Sequence, residues 1–80
     1  MRDEKQRQAV CTGVARLLRE ERLRQHLSLN QLAKNAGLSQ QMVSYVEKEM
    51  RAPTLDTLLR LSDALDIELW RLLRTASKKP

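Results

Sequence analysis

Residues 27–49, LSLNQLAKNAGLSQQMVSYVEKE, decide how this chain folds. Apolar side chains recur every three or four residues in both halves of the stretch, which is the period of an α-helix with one buried face. Ser28 and Ser39 stand before the two apolar runs, where a hydroxyl accepts a hydrogen bond from an unpaired N–H of the first helical turn. Gln31 follows Ser28 by three residues and completes the signature of a capping box. The stretch therefore predicts two short helices.

A single glycine separates these helices. Gly37 can adopt the left-handed conformation that ends a helix, and only Leu38 lies between it and Ser39. The pattern predicts helices over Leu29–Ala36 and Gln40–Lys48, joined by a turn of about three or four residues.

Three small or β-branched side chains suit close packing of the two helices. Ala33 is small where the helices must touch, and Val43 and Val46 give the second helix an apolar side. Two short helices joined by a tight turn that contains glycine form a helix-turn-helix, whose second helix enters the major groove of DNA. The sequence therefore predicts a helix-turn-helix over residues 28–48.

The helical period continues on both sides of this motif. It predicts a first helix over Gln8–Gln25, a fourth over Leu55–Leu65 that Thr54 caps, and a fifth over Ile67–Leu73 that Asp66 opens. The polar ends of the chain, about residues 1–6 and 75–80, are expected to fray.

Composition agrees with a small all-α protein. A length of 80 residues suits one domain, and two glycines and two prolines leave few turn residues for a sheet of many strands. The expected architecture is a single compact domain of five helices over residues 1–80.

Several classes of protein are excluded by what the sequence lacks. One cysteine, Cys11, cannot form an internal disulfide, and with one histidine, His26, it offers no zinc site. The polar N-terminus has no signal-peptide core, and no apolar run reaches the roughly 18 residues of a membrane helix. We find no paired carboxylates or phosphate loop. A cytoplasmic protein without enzymatic activity, metal or cofactor is expected.

Four segments together resemble the lambda-repressor and Cro type of helix-turn-helix regulator, the Xre family. They are LREER at 18–22, LSLNQLAKNAGLS at 27–39, VSYVE at 43–47 and RAPTLDTLLRLSDALDI at 51–67. The resemblance runs from residue 18 to residue 73 and implies a five-helix domain that inserts its third helix into the major groove.

The start of the third helix carries the candidate base-reading residues. Gln40 and Gln41 stand where side chains first reach base edges, and a Gln amide offers the donor and acceptor that adenine N7 and N6 require. Tyr45 lies one turn further along the same face, and Ser44 is small enough to let the helix approach closely. We therefore predict that these four residues contact bases.

Candidate phosphate contacts surround this face. The residues predicted to make them are Ser39, Lys34, Lys48 and Arg51. Such contacts position a protein on the duplex without reading its sequence. The net charge of +5, from 15 Lys and Arg against 10 Asp and Glu, suits a polyanion but is weak evidence by itself.

An ion pair is expected to hold the third helix. Glu47 lies on the inward side of that helix, four residues after Val43, and a buried carboxylate needs a partner. In the resembling family the positions of Arg22 and Glu47 form a salt bridge between the first and third helices, so we expect this pair.

Four positions depart from the family pattern. His26 stands where the family commonly has glycine, and Glu49 stands where it commonly has glycine or asparagine. Both positions are therefore expected to need positive φ. Leu29 replaces a glutamine that binds phosphate, and that contact is not carried over. Glu21 occupies a position that is often apolar, which predicts either a slight rotation of the first helix or a compensating role for Leu17.

The expected function is a sequence-specific regulator of transcription that binds duplex DNA as a dimer on a pseudo-palindromic operator, with a possible contact to RNA polymerase. The C-terminal segment around Trp70 can complete the core or contact a second copy, and the first helix is the alternative interface. The alternative function is an antitoxin-type interaction partner that binds DNA for autoregulation.

Overall fold

The computed structural model describes residues 3–78, which form five α-helices and no strand. The helices are α1 (Glu4–Arg24), α2 (Leu29–Ala36), α3 (Gln40–Glu47), α4 (Leu55–Ala64) and α5 (Leu69–Ser77). The predicted all-α class, with five helices in this order, is confirmed. The outermost residues of the ends predicted to fray, 1–2 and 79–80, lie outside the described residues.

One hydrophobic core joins all five helices. Helix α1 packs against α3 and α5, α2 packs against α3 and α4, and α4 packs against α5. The core side chains are Val10, Val14, Leu18, Leu32, Ala33, Ala36, Val43, Val46, Leu61, Leu65, Leu69 and Leu72. Because these side chains come from every helix, the position of each helix depends on the others.

Helices α2 and α3 have the predicted caps. The Ser28 hydroxyl accepts from the Gln31 backbone N–H at 3.0 Å, and the Gln31 side chain accepts from the Ser28 N–H at 2.8 Å. The Ser39 hydroxyl accepts from the Met42 N–H at 3.1 Å. Gly37 has φ 69° and lies between the two helices. The helix-turn-helix therefore forms where the sequence predicts it.

The first four helices end in the same way although only one of them uses glycine. The residues in the left-handed conformation are His26, Gly37, Glu49 and Asp66. The next residue in each case donates its N–H to a carbonyl five positions back, at distances of 2.9 to 3.1 Å. This is the hydrogen bond of a Schellman motif, and in each case the donor is apolar: Leu27, Leu38, Met50 or Ile67.

The positive φ expected at His26 and Glu49 is confirmed, but the role predicted for Asp66 is wrong. Asp66 has φ 58° and ends α4 instead of opening α5. Helix α5 begins at Leu69 after Glu68, whose side chain makes no capping bond. The left-handed residue and the two residues after it are needed to turn the chain, so α5 starts two residues later than predicted.

The outer helices are longer than predicted. Helix α1 starts at Glu4 because Asp3 caps it by accepting from the Gln6 N–H at 2.8 Å. Helix α5 continues to Ser77, and its Ala76 packs against Gly13 of α1. A Cβ on Gly13 would lie only 3.0 Å from the Ala76 Cβ, so glycine permits this close approach.

Glu21 is accommodated through hydrogen bonds. Its carboxylate accepts from the Arg24 guanidinium and, at 2.8 Å, from the Gln25 amide, which also donates to the Leu65 carbonyl at 2.8 Å. These bonds, first that from Arg24, lower the pKa of Glu21. Leu17 is half-buried and packs against the core. A polar network thus occupies the position where the resembling family often has an apolar residue.

The expected ion pair between Arg22 and Glu47 is present. Arg22 Nε and Nη2 donate to the two Glu47 oxygens at 2.7 and 2.9 Å, with the side chains only 10% and 6% exposed. Arg22 Nη1 also donates to the Leu27 carbonyl at 2.8 Å. The hydrogen bonds to Glu47 raise the pKa of Arg22. This pair therefore links α1, the loop after it and α3.

We predict that Glu47→Ala destabilises the protein by about 3–5 kcal/mol, because Arg22 would keep its charge in a buried site without a partner. Urea-induced unfolding measures the effect. Asp56→Ala is the matched control, since it removes the carboxylate of an exposed pair with Arg60 and should cost about 1 kcal/mol or less. Equal stability of Glu47→Ala and the parent would contradict the prediction.

We predict that His26→Gly stabilises the protein by about 0.5–1 kcal/mol. The left-handed conformation costs a residue with a Cβ about 1–2 kcal/mol, and glycine avoids this cost. Part of the gain is cancelled because glycine also raises the conformational entropy of the unfolded chain. Thermal unfolding measures the change. Ala9→Gly at an exposed position within α1 is the control and should destabilise by about 0.5–1 kcal/mol. A lower melting temperature for His26→Gly would count against the steric explanation.

Candidate nucleic-acid interface

Helix α3 has one apolar side and one polar side. Val43 and Val46 are 0% and 2% exposed in the core. Gln40 and Gln41 are exposed at the first turn, and Ser44 and Tyr45 are half-buried one turn later. We call these last four residues the reading face. The structure thus brings all four candidate base-reading residues onto the outer side of one helix.

Two members of the reading face contact each other. The Gln41 side-chain amide donates through Nε2 to the Tyr45 hydroxyl, four residues later on the helix. The Arg51 guanidinium carbon lies 5.1 Å from the centre of the Tyr45 ring, in a cation–π contact. Neither contact between these three side chains is among the predictions made from the sequence. The four-residue spacing of Gln41 and Tyr45 could have indicated the first contact, whereas only the loop geometry shows the second.

The C-terminal end of α3 is attached to α1 at two points. One is the Glu47–Arg22 pair, and the other is a hydrogen bond of 2.7 Å from the Thr12 hydroxyl to the Glu49 carboxylate. No local pattern in the sequence indicates the second attachment, because 37 residues separate its partners. Together they hold α3 against the longest helix of the protein.

The candidate phosphate contacts all lie at exposed positions. Lys34 is in the last turn of α2, Ser39 caps α3, Lys48 follows α3 and Arg51 lies in the next loop. Within residues 3–78, none of the three cationic side chains forms an ion pair with a carboxylate. The oxygen of Ser39 accepts the capping bond, and its O–H hydrogen can be donated outward.

Other kinds of site receive no support from the described part of the chain. Residues 3–78 contain no group of three His, Cys, Asp or Glu side chains that could hold a metal ion. None of their helices combines the length and apolarity needed to cross a bilayer. Cys11 is exposed and unpaired by any disulfide.

Comparison with known proteins agrees with this geometry. A family model described as helix-turn-helix matches residues 18–69. The restriction-modification controller protein C.AhdI from Aeromonas hydrophila has a similar structure, with a TM-score of 0.73 and 36% identity over 79% of this chain and 94% of that one. The hypothetical transcription factor NHTF from Neisseria has a TM-score of 0.73 and 30% identity over 89% of this chain and 76% of that one. No curated protein gives a significant match.

The chain belongs to the helix-turn-helix family, with the lambda-repressor and Cro type of fold. It is a DNA-binding regulator of transcription.

Proposed function

We propose that this protein binds a specific duplex DNA sequence by placing α3 in the major groove. The reading face contacts base edges, and Ser39, Lys34, Lys48 and Arg51 contact phosphates on either side of the groove. One observation carries the proposal: an uncharged, hydrogen-bonding face lies exposed on a helix whose other side is fixed in the core. A helix mounted in this way can present its side chains to base edges without reorganising.

The division between charged and uncharged residues supports two separate tasks. The reading face carries amide and hydroxyl groups, which distinguish bases by their donor and acceptor pattern. The cations around it attract any duplex through its phosphates and release counterions, so this part of the affinity weakens with salt. We expect sequence preference to come from α3 and most of the non-specific affinity to come from the surrounding Lys and Arg.

We propose further that the protein acts as a homodimer on a pseudo-palindromic operator, because one reading helix covers only a few base pairs. Exposed apolar side chains support an interface on α4 and α5. Leu55 and Leu59 are 64% and 44% exposed on α4, and Trp70 and Leu73 are 52% and 37% exposed on α5. We call these four residues the C-terminal apolar face. They favour the region of Trp70 over α1 as the interface.

We propose that the protein regulates transcription by occupying its operator, where it either blocks RNA polymerase or contacts it from a neighbouring site. The similarity to a restriction-modification controller supports a role in the control of transcription. The proposed function requires binding without catalysis. We propose that the protein acts in the cytoplasm, bound to the nucleoid.

Two alanine variants are predicted to separate base reading from phosphate binding. Gln41→Ala should reduce discrimination by about 1–3 kcal/mol at one operator position and leave the salt dependence intact. Lys34→Ala should weaken binding to all duplexes alike and reduce the slope of log K against log salt by about 1 per half-site, or about 2 for the proposed dimer. Titration of duplexes first selected from a random library measures both effects. A uniform loss of affinity in Gln41→Ala would argue against base reading.

The dimer interface is predicted to be sensitive to charge at Leu59. Leu59→Glu places a carboxylate in the C-terminal apolar face and should convert a dimer of twice 9.3 kDa to a monomer. Leu23→Glu is the control, since Leu23 is 50% exposed on α1, the alternative interface. Light scattering at tens of micromolar gives the masses. A parent protein that is monomeric both with and without DNA would refute the dimer. If Leu23→Glu dissociates the dimer and Leu59→Glu does not, the interface lies on α1 instead.

A further inference from the structure

The contact between Gln41 and Tyr45 restricts what Gln41 can read. A glutamine amide has two N–H donors on Nε2 and an acceptor oxygen, Oε1, in one plane. In this structure one of the two N–H groups is donated to the Tyr45 hydroxyl. Only one N–H and the oxygen remain for a base, and their relative positions are set by the bond to tyrosine.

The Tyr45 ring is itself held in place. It is half-buried, and the Arg51 guanidinium lies 5.1 Å from the ring centre. An aromatic side chain that packs against its surroundings keeps one orientation, so its hydroxyl is a fixed acceptor for Gln41. Arg51 thus has a second role beside its proposed phosphate contact, because it supports the ring from the loop after α3.

The remaining groups of Gln41 match adenine and conflict with guanine. Adenine shows an acceptor, N7, beside a donor, the N6 amino group, which pair with one N–H and one oxygen. Guanine shows two acceptors, N7 and O6, and needs two N–H donors. With one N–H already bound to Tyr45, Gln41 would place its Oε1 against the acceptor O6 of guanine.

We infer that Tyr45 is a specificity-positioning residue, whose hydroxyl holds the Gln41 amide in the orientation that selects adenine over guanine. The inference rests on the proposed function, since it assumes that α3 enters the major groove. It also leaves the Tyr45 O–H hydrogen free to donate to a phosphate or base oxygen. The bond exists before DNA is bound, so part of the entropy of ordering Gln41 is already lost in the free protein.

The test uses Tyr45→Phe, which keeps the ring and its contact with Arg51 but removes the hydroxyl. Operators are selected from a random duplex library with the parent, and the position read by Gln41 is the one whose preference disappears in Gln41→Ala. Affinities for adenine and guanine at that position are then compared by titration. We expect the parent to favour adenine about tenfold or more, and Tyr45→Phe to reduce the ratio to about threefold or less.

Ser44→Ala is the matched control, because it removes a hydroxyl from the same face but not the one that Gln41 donates to. Ser44→Ala should change the base preference at another operator position and leave the adenine preference at the Gln41 position unchanged. An unchanged ratio in Tyr45→Phe, or a parent that prefers guanine there, would overturn the inference while the proposed function stands. If the parent selects no preferred sequence at all, the proposed function itself fails.

Discussion

The buried pair of Arg22 and Glu47 determines how α3, the helix proposed to enter the DNA groove, sits in the protein. Helix α3 has only eight residues, and an isolated helix of that length is not stable in water. Its orientation therefore comes from tertiary contacts, and the pair supplies a directional one with two hydrogen bonds to a single carboxylate. Because Arg22 also binds the Leu27 carbonyl, the same side chain fixes the loop that leads into α2. Both halves of the helix-turn-helix thus depend on one guanidinium.

The helix ends show how this small protein turns its chain with few glycines. Four residues within 3–78 are left-handed. Three of them, His26, Glu49 and Asp66, carry a Cβ, and each costs local strain. The strain is tolerated because each turn also makes a backbone hydrogen bond, and after His26 and Asp66 the next residue, Leu27 or Ile67, packs against the core. At Glu49 the strained residue gains a further contact, since its carboxylate accepts from Thr12 and attaches the end of α3 to α1.

The proposed DNA-binding surface separates affinity from selectivity. Its central groups are uncharged and its cations lie around them, an arrangement in which charge would attract any duplex and hydrogen bonds would select the sequence. In the network of Gln41, Tyr45 and Arg51, two of the side chains proposed to read bases already contact each other in the free protein. With two aromatic residues, Tyr45 and Trp70, the protein offers little for stacking on single-stranded bases, which agrees with duplex DNA as the target.

The sequence by itself determined the helical class, the caps at Ser28, Ser39 and Thr54, and the position of the helix-turn-helix. These features depend on residues within one or two turns of each other, and such interactions can be read from spacing. Only the tertiary structure decided the course of α5, where Asp66 turned the chain and Ala76 packed on Gly13. It also decided the contacts between Thr12 and Glu49 and between Arg51 and Tyr45. The partners in these contacts come from different helices or loops, so no local sequence pattern predicts the contacts. Their geometry depends on the packing of the whole core.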